Sequence, residues 1–177
     1  MHLLGISGSL RAGSFNRKLM HEAARLFAPD TFTVGSLQMP IYDGDLEQGE
    51  GIPAAVQRLA DQIAAADAVI ISTPEYNKGP SGALKNALDW VSRVEGNPWQ
   101  DKPVAIMSAA AGRAGGERAQ SILRWFMQPF QPRVLQGPEV LIGGASKQFD
   151  ENDQLTDERS VKLLQTLMDK LKAEAAG

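Results

Sequence analysis

The stretch PAAVQRLADQIAAADAVIIST, residues 53–73, changes its apolar period halfway along. Val56, Leu59, Ile63 and Ala66 recur at steps of three and four, the spacing that lines one face of a helix. Residues 68–71 then run apolar without a break, ending at Ser72 and Thr73. A short continuous run of this kind suits a strand covered on both faces, whereas a strand with one wet face would alternate. A helix that feeds a doubly covered strand is the repeating unit of an α/β protein.

The same alternation extends in both directions. Residues 3–6 form a short apolar run, residues 15–27 show helical spacing, and residues 32–37 are rich in β-favouring side chains. Downstream, GALKNALDWVSRV (82–94) reads as a helix and PVAIMSAA (103–110) as a strand. A helix from about 116 to 127, a strand near EVLIG (139–143) and a helix from about 157 to 174 follow. Five strands separated by five helices predict a doubly wound, five-stranded parallel sheet with helices on both faces. Residues 39–53, which carry glycine and proline, read as the connection between the second strand and the second helix. Residues 128–138, with three prolines, fit either an irregular strand or a loop. No repeat, linker or low-complexity tract divides the chain, so residues 1–177 are expected to form a single domain.

Composition narrows the chemistry. Eighteen Lys+Arg against 21 Asp+Glu give a formal charge of −3, which offers no general attraction for a polyphosphate backbone, so nucleic acid is not the expected partner. The chain has no cysteine, which removes disulfides, thiolate nucleophiles, iron–sulfur clusters and cysteine-type zinc sites. The two histidines and scattered carboxylates show no metal-ligand spacing. Residues 1–4 lack the basic start and long apolar core of a signal peptide, and no window approaches the roughly 20 apolar residues of a membrane span. A cytoplasmic protein with no membrane partner is expected.

Ligands of open parallel sheets sit beyond the carboxyl ends of the strands. Three loops there carry unusual residues: 7–16, 74–82 and 108–118. The first joins a helix start to Ser9, Arg11, Ser14 and Asn16, which combines free backbone amides, short donors and one guanidinium that can pair with phosphate oxygens. It lacks the Gly-Lys-Ser/Thr of an ATP-type loop and the three-glycine dinucleotide fingerprint, which points to a terminal monophosphate. A plain helix cap at Ser14 or Asn16 with a tight turn at Gly8 and Gly13 explains this loop equally well when it is taken alone. In the second loop Pro74, Glu75, Tyr76 and Asn77 could wall a flat heterocycle with main-chain amides, although the same residues also make turns. Lys85 and Asp89, four apart on a helix, suggest a surface or interface ion pair rather than an acid–base pair.

Taken together, GSLRAGSFNRKL (8–19) and PEYNKGPSGALKNALDW (74–90) resemble the NADPH-dependent FMN reductase family, which includes chromate- and quinone-reducing flavoproteins of flavodoxin-like fold. The resemblance runs in order along almost the whole chain. It implies FMN as cofactor, with NADPH or NADH as reductant. It implies that Ser9, Arg11, Ser14, Phe15 and Asn16 hold the FMN phosphate, Phe15 through its backbone amide, and that Pro74, Glu75, Tyr76 and Asn77 line the isoalloxazine. In SAAAGRAGGERAQ (108–120) it places Ser108, Gly112 and Gly115 beside the ring. It further implies a homodimer, possibly a homotetramer, with Trp90, Trp125 and Phe126 covered by a second subunit; the monomer's own core is the alternative for all three. Ser81 departs from the family, which commonly has proline there, and this leaves the loop's shape open. Arg113 stands either as a contact for a nicotinamide nucleotide phosphate or as a solvated surface residue.

The implied activity is an FMN-dependent NAD(P)H oxidoreductase that passes hydride to a small electron acceptor such as a quinone, a flavin, an azo compound or a chromate-type oxidant. Both substrates would use one face in ping-pong order, and no side chain would act as acid, base or nucleophile. Two other readings stand beside it. A flavodoxin-like electron carrier would share the fold but react poorly with NAD(P)H. A serine hydrolase built on Ser7 or Ser9 would need a histidine, and only His2 and His21 exist, one opening the first strand and one in mid-helix.

Overall fold

A computed structural model describes residues 1–177. The elements run β1 (His2–Ser7), α1 (Phe15–Phe27), β2 (Thr31–Gly35), α2 (Gly44–Glu50), α3 (Ala54–Ala65), β3 (Ala68–Thr73), α4 (Gly82–Val91) and β4 (Pro103–Ala109). They continue with α5 (Glu117–Met127), β5 (Arg133–Val134), β6 (Val140–Ile142) and α6 (Glu158–Ala176). All pairings in the sheet are parallel and its order is β2-β1-β3-β4-β5, with β6 also on β4. This is the flavodoxin-like order, and it puts the switch in chain direction between β1 and β3.

The apolar runs sort their side chains to the two faces by simple alternation. Leu4, Ile6, Val69, Ile71, Val104 and Ile106 join one core under α3, α4 and α5. Their neighbours Leu3, Ala68, Ile70, Ala105 and Met107 join a second core under α1 and α6. Every residue of β3 and β4 is buried, as a strand covered on both faces requires. Trp90 belongs to the first core: it is fully buried, donates from Nε1 to Pro40 O at 2.8 Å and meets Tyr42 edge-on at 5.0 Å. The chain's own connection, rather than a second subunit, therefore covers Trp90. Lys85 and Asp89 form the expected pair at 2.5 Å, with both side chains more than 40% exposed, so it stabilises α4 by only a few tenths of a kcal/mol.

Three details differ from the sequence reading. The 39–53 connection contains α2, started by Asp43, whose side chain accepts the Asp45 N–H. None of its seven residues is buried, so it carries no apolar period to read; only the partly buried Leu46 leans on the core. β2 ends at Gly35 instead of continuing to Leu37. The fifth strand position is shared by two short pieces, since β5 pairs with Pro103 and Val104 while β6 pairs with Met107 to Ala109. Most of residues 128–138 is thus a connection, opened by a short 3-10 turn at Gln128–Phe130 and broken by β5.

Candidate functional site

Three loops meet over the carboxyl ends of β1, β3 and β4 and enclose a cleft of about 450 Å³, within the range of small-molecule sites. Its lining comprises Ser9, Arg11, Ser14, Phe15 and Asn16, then Pro74, Glu75 and Tyr76, then Ala109, Ala110 and Ala111. At the first loop Ser14 is the N-cap of α1, and its Oγ accepts the Asn16 N–H at 3.2 Å. The backbone amides of Ala12, Gly13 and Phe15 have no partner within the chain. No acidic residue lies in the first turn of α1. The exposed Arg11 guanidinium lies 6.0 Å from the centre of the Phe15 ring and donates to Gly13 O at 3.3 Å. Unpaired amides, a helix start and one guanidinium form an anion cradle sized for a single phosphate.

Asn16, which also lines the cleft, has a structural part to play. It is buried, and its side-chain amide donates to Ala109 O at 2.8 Å while Oδ1 accepts the Ala109 N–H and the Ser72 hydroxyl, each at 2.9 Å. One side chain thereby joins the start of α1 to the ends of β3 and β4. Ser81 ties the first loop to the second. Its buried hydroxyl donates to Gly8 O and accepts the Leu84 N–H at 3.2 Å as the N-cap of α4. The residue that departs from the family pattern therefore joins the first loop to the start of α4.

In the second loop Tyr76 and Gly79 exchange backbone hydrogen bonds at 2.9 and 3.1 Å around Asn77 and Lys78, whose φ values are 50° and 69°. This tight turn, left-handed at both central residues, sets Tyr76 at the cleft with 54% of its surface exposed and carries Asn77 past the lining. Glu75 reaches across to α5, where Oε2 accepts the Ala119 N–H at 3.3 Å. The N-cap of α5 is Gly116, which has no side chain to offer, so Glu75 caps that helix from another loop.

In the third loop Ser108 and Gly115 are buried and Gly112 is exposed, and none of the three is part of the cleft's lining. Ser108 is fully buried, donates to Gly115 O at 2.6 Å and accepts from Gln120 Nε2 at 2.8 Å. Gly115 has φ +63°, and a Cβ there would come within 2.6 Å of the Leu141 carbonyl carbon. These residues fold the loop back on itself. Ala109 to Ala111 form the wall, and their only sequence signal is small size inside the run SAAAG.

The arrangement offers an anion cradle at one end and Pro74, Glu75, Tyr76 and three alanines at the other. His2 hydrogen-bonds Thr33 at the start of β1, and the exposed His21 lies on α1 with its pKa lowered, chiefly by partial burial and next by Arg17. With β1 rising about 3.3 Å per residue, His2 is on the order of 15 Å from Ser7, His21 packs edge-on against Phe32, and neither Ser7 nor Ser9 has a histidine among its hydrogen-bond partners, which counts against the hydrolase reading. A monophosphate cradle beside a flat cleft, at the switch point of a 2-1-3-4-5 sheet, defines a flavodoxin-like flavoprotein that binds a mononucleotide.

Comparison with known proteins carries this further. The family model described as NADPH-dependent FMN reductase matches residues 1–147, and the chain belongs to that family. An NAD(P)H-dependent FMN reductase of Pseudomonas aeruginosa is 42% identical over 165 residues, covering 92% of this chain and 89% of that protein. A quinone reductase of Escherichia coli K12 is 40% identical over 154 residues, covering 85% and 81%. FerB, a flavoenzyme NAD(P)H:(acceptor) oxidoreductase from Paracoccus denitrificans, superposes with a TM-score of 0.88 at 32% identity, covering 99% of this chain and 97% of that one. The chain is thus an FMN-dependent oxidoreductase driven by a reduced nicotinamide nucleotide, which decides against a bare electron carrier.

Asn16→Ala tests how the cleft is held. It leaves the Ala109 amide and the Ser72 hydroxyl without partners in a buried position, so stability is expected to fall by on the order of 3 kcal/mol in denaturant titration. FMN binding is expected to weaken at the same time, although the side chain need not touch the phosphate.

Proposed function

We propose that this chain is an NAD(P)H:acceptor oxidoreductase whose acceptor is a small oxidant, a quinone first, with free flavin, azo compounds and chromate-type oxidants as alternatives. The balanced reaction is NAD(P)H plus a proton plus quinone, giving NAD(P)⁺ and quinol. FMN, when bound, supplies the two-electron chemistry by receiving hydride and releasing it. The observation that carries this reading is the 450 Å³ cleft, with a single-phosphate cradle at one end and no histidine or lysine in its lining.

The residues divide the work as follows. Ser9, Arg11, Ser14 and the Phe15 amide hold the phosphate, and Asn16 fixes the helix start that presents them. Pro74 to Tyr76 form one wall of the ring site, Ala109 to Ala111 form the other, and Asn77 sets the turn that shapes the first wall. Unpaired backbone amides, as in the first loop, stabilise negative charge without reorganising. The polar face of the cleft is preorganised because its loops are bonded to one another through Gly8, Ser81 and Asn16. Reductant and acceptor are proposed to use the same face of the cofactor in turn, which predicts ping-pong kinetics. A cytoplasmic location, where reduced nicotinamide nucleotides are available, fits this role.

A second copy of the chain is proposed to cover a face formed by α4, α5 and the turn after α5. Trp125 is 71% exposed there and, with Phe126, Pro129 and Phe130, faces Lys85 and Leu88 across a groove of about 470 Å³. An exposed tryptophan within an apolar groove is the signature of an interface anchor.

Purified protein loaded with FMN is expected to be yellow and to bleach on anaerobic addition of NADPH; a colourless protein after FMN addition would sink the proposal. Arg11→Ala is expected to weaken FMN binding by about tenfold, the low end for a charged hydrogen bond, because the guanidinium stays exposed. Trp125→Glu is expected to convert a dimer into a monomer in sedimentation analysis, and a wild type that sediments as a monomer would remove the dimer proposal.

A further inference from the structure

A second cleft, of about 590 Å³, opens next to the first and shares Ala111 with it. Its charged rim is formed by Arg113, Arg159 and Asp157. Neither arginine has a carboxylate within ion-pair distance, whereas Arg25, Arg93 and Arg133 are each paired with a glutamate. Asp157 is already committed. Its Oδ2 accepts the Ser160 amide at 2.8 Å and the Ser160 hydroxyl at 2.7 Å as the N-cap of α6, and these bonds, with a smaller contribution from the charge of Arg159, hold its carboxyl below the ordinary carboxylate range.

Both arginines stand on fixed backbone. The third loop is stitched to the segment after β6 by Ala110 N–H to Ile142 O at 2.9 Å, Ala145 N–H to Ala110 O at 3.1 Å and Gly144 N–H to Gly112 O at 3.3 Å. Gly143 lets that segment touch the Arg113 carbonyl, which a Cβ would meet at 2.5 Å. Arg159 rides on the first turn of α6, which the Asp157 cap holds. The cleft that flanks the opposite side of the cofactor site, at Ser9 and Arg17, has a volume of about 180 Å³, too small for half of a dinucleotide.

Resting on the function proposed above, we propose that Arg113 and Arg159 bind the 2′-phosphate of NADPH in this second cleft and so select NADPH over NADH. A nucleotide whose nicotinamide lies over the first cleft can lay its phosphate-bearing half in the second, because the two meet at Ala111. A phosphate monoester carries close to two negative charges near neutral pH, while each bridging phosphate carries one, so a pair of guanidiniums matches the monoester. Guanidinium geometry adds two parallel hydrogen bonds per residue, which a lysine could not supply.

The test titrates FMN-loaded protein with adenosine 2′,5′-bisphosphate and with ADP in a calorimeter, using wild type, Arg113→Ala, Arg159→Ala and, as a control off this cleft, Arg118→Ala. The wild type is expected to prefer the 2′-phosphorylated probe. Each cleft variant is expected to weaken that probe by about ten- to a hundredfold, with a much smaller effect on ADP, and to raise KM for NADPH more than KM for NADH. Arg118→Ala is expected to match the wild type. Equal loss for both probes, or no loss in either cleft variant, would overturn the assignment. Saturation of each variant with FMN, followed by absorbance, separates this failure from failure of the function itself, since a protein that takes no FMN contradicts the earlier proposal and not this one.

Discussion

The cleft depends on one buried amide. Asn16 satisfies both backbone groups of Ala109 and the hydroxyl of Ser72 from the first turn of α1, so three elements far apart in sequence share one hydrogen-bonded joint. Each of those groups would be costly to leave unpaired in so dry a place. The joint sits where β1, β3 and β4 end together, which a parallel sheet alone does not guarantee, because strands of different length drift out of register at their ends. With Asn16 in place the phosphate cradle and the small-residue wall keep one separation.

Around that joint, three further side chains brace the loops. Glu75 caps α5, Ser81 bonds the first loop and caps α4, and Ser108 folds the third loop through Gly115 and Gln120. Residues in contact with the cleft are then free to present main chain. This division lets a loop-built site have the precision of a scaffold, since each loop is anchored by a bond to another element.

The sheet and its two layers were legible because residues 68–71 and 103–107 are apolar without interruption and the helices between them keep a period near 3.6. The strand order 2-1-3-4-5 followed only from the family resemblance and is settled by the pairings. α2 was hidden because no residue in it is buried, and β5 because two residues leave no period at all. In the site, the phosphate loop announced itself through donor chemistry. In the third loop the family resemblance points to Ser108, Gly112 and Gly115, whereas the cleft is lined by Ala109 to Ala111, whose methyl groups carry no signal of their own in the sequence. Trp90 and Trp125 looked alike in sequence, and only packing separates the buried one from the exposed one.

The three alanines of that wall have an evolutionary consequence. A methyl group is close to the least a side chain can be, so nearly any change at Ala110 or Ala111 adds bulk on the open side and alters which molecules fit, while the phosphate cradle and its brace at Asn16 stay as they are. Ala109 is less free, since its backbone is the partner of that brace. The chain thereby keeps two tasks apart: a hydrogen-bonded frame that holds the cleft together, and a short stretch of loop whose side chains can change at little risk to folding.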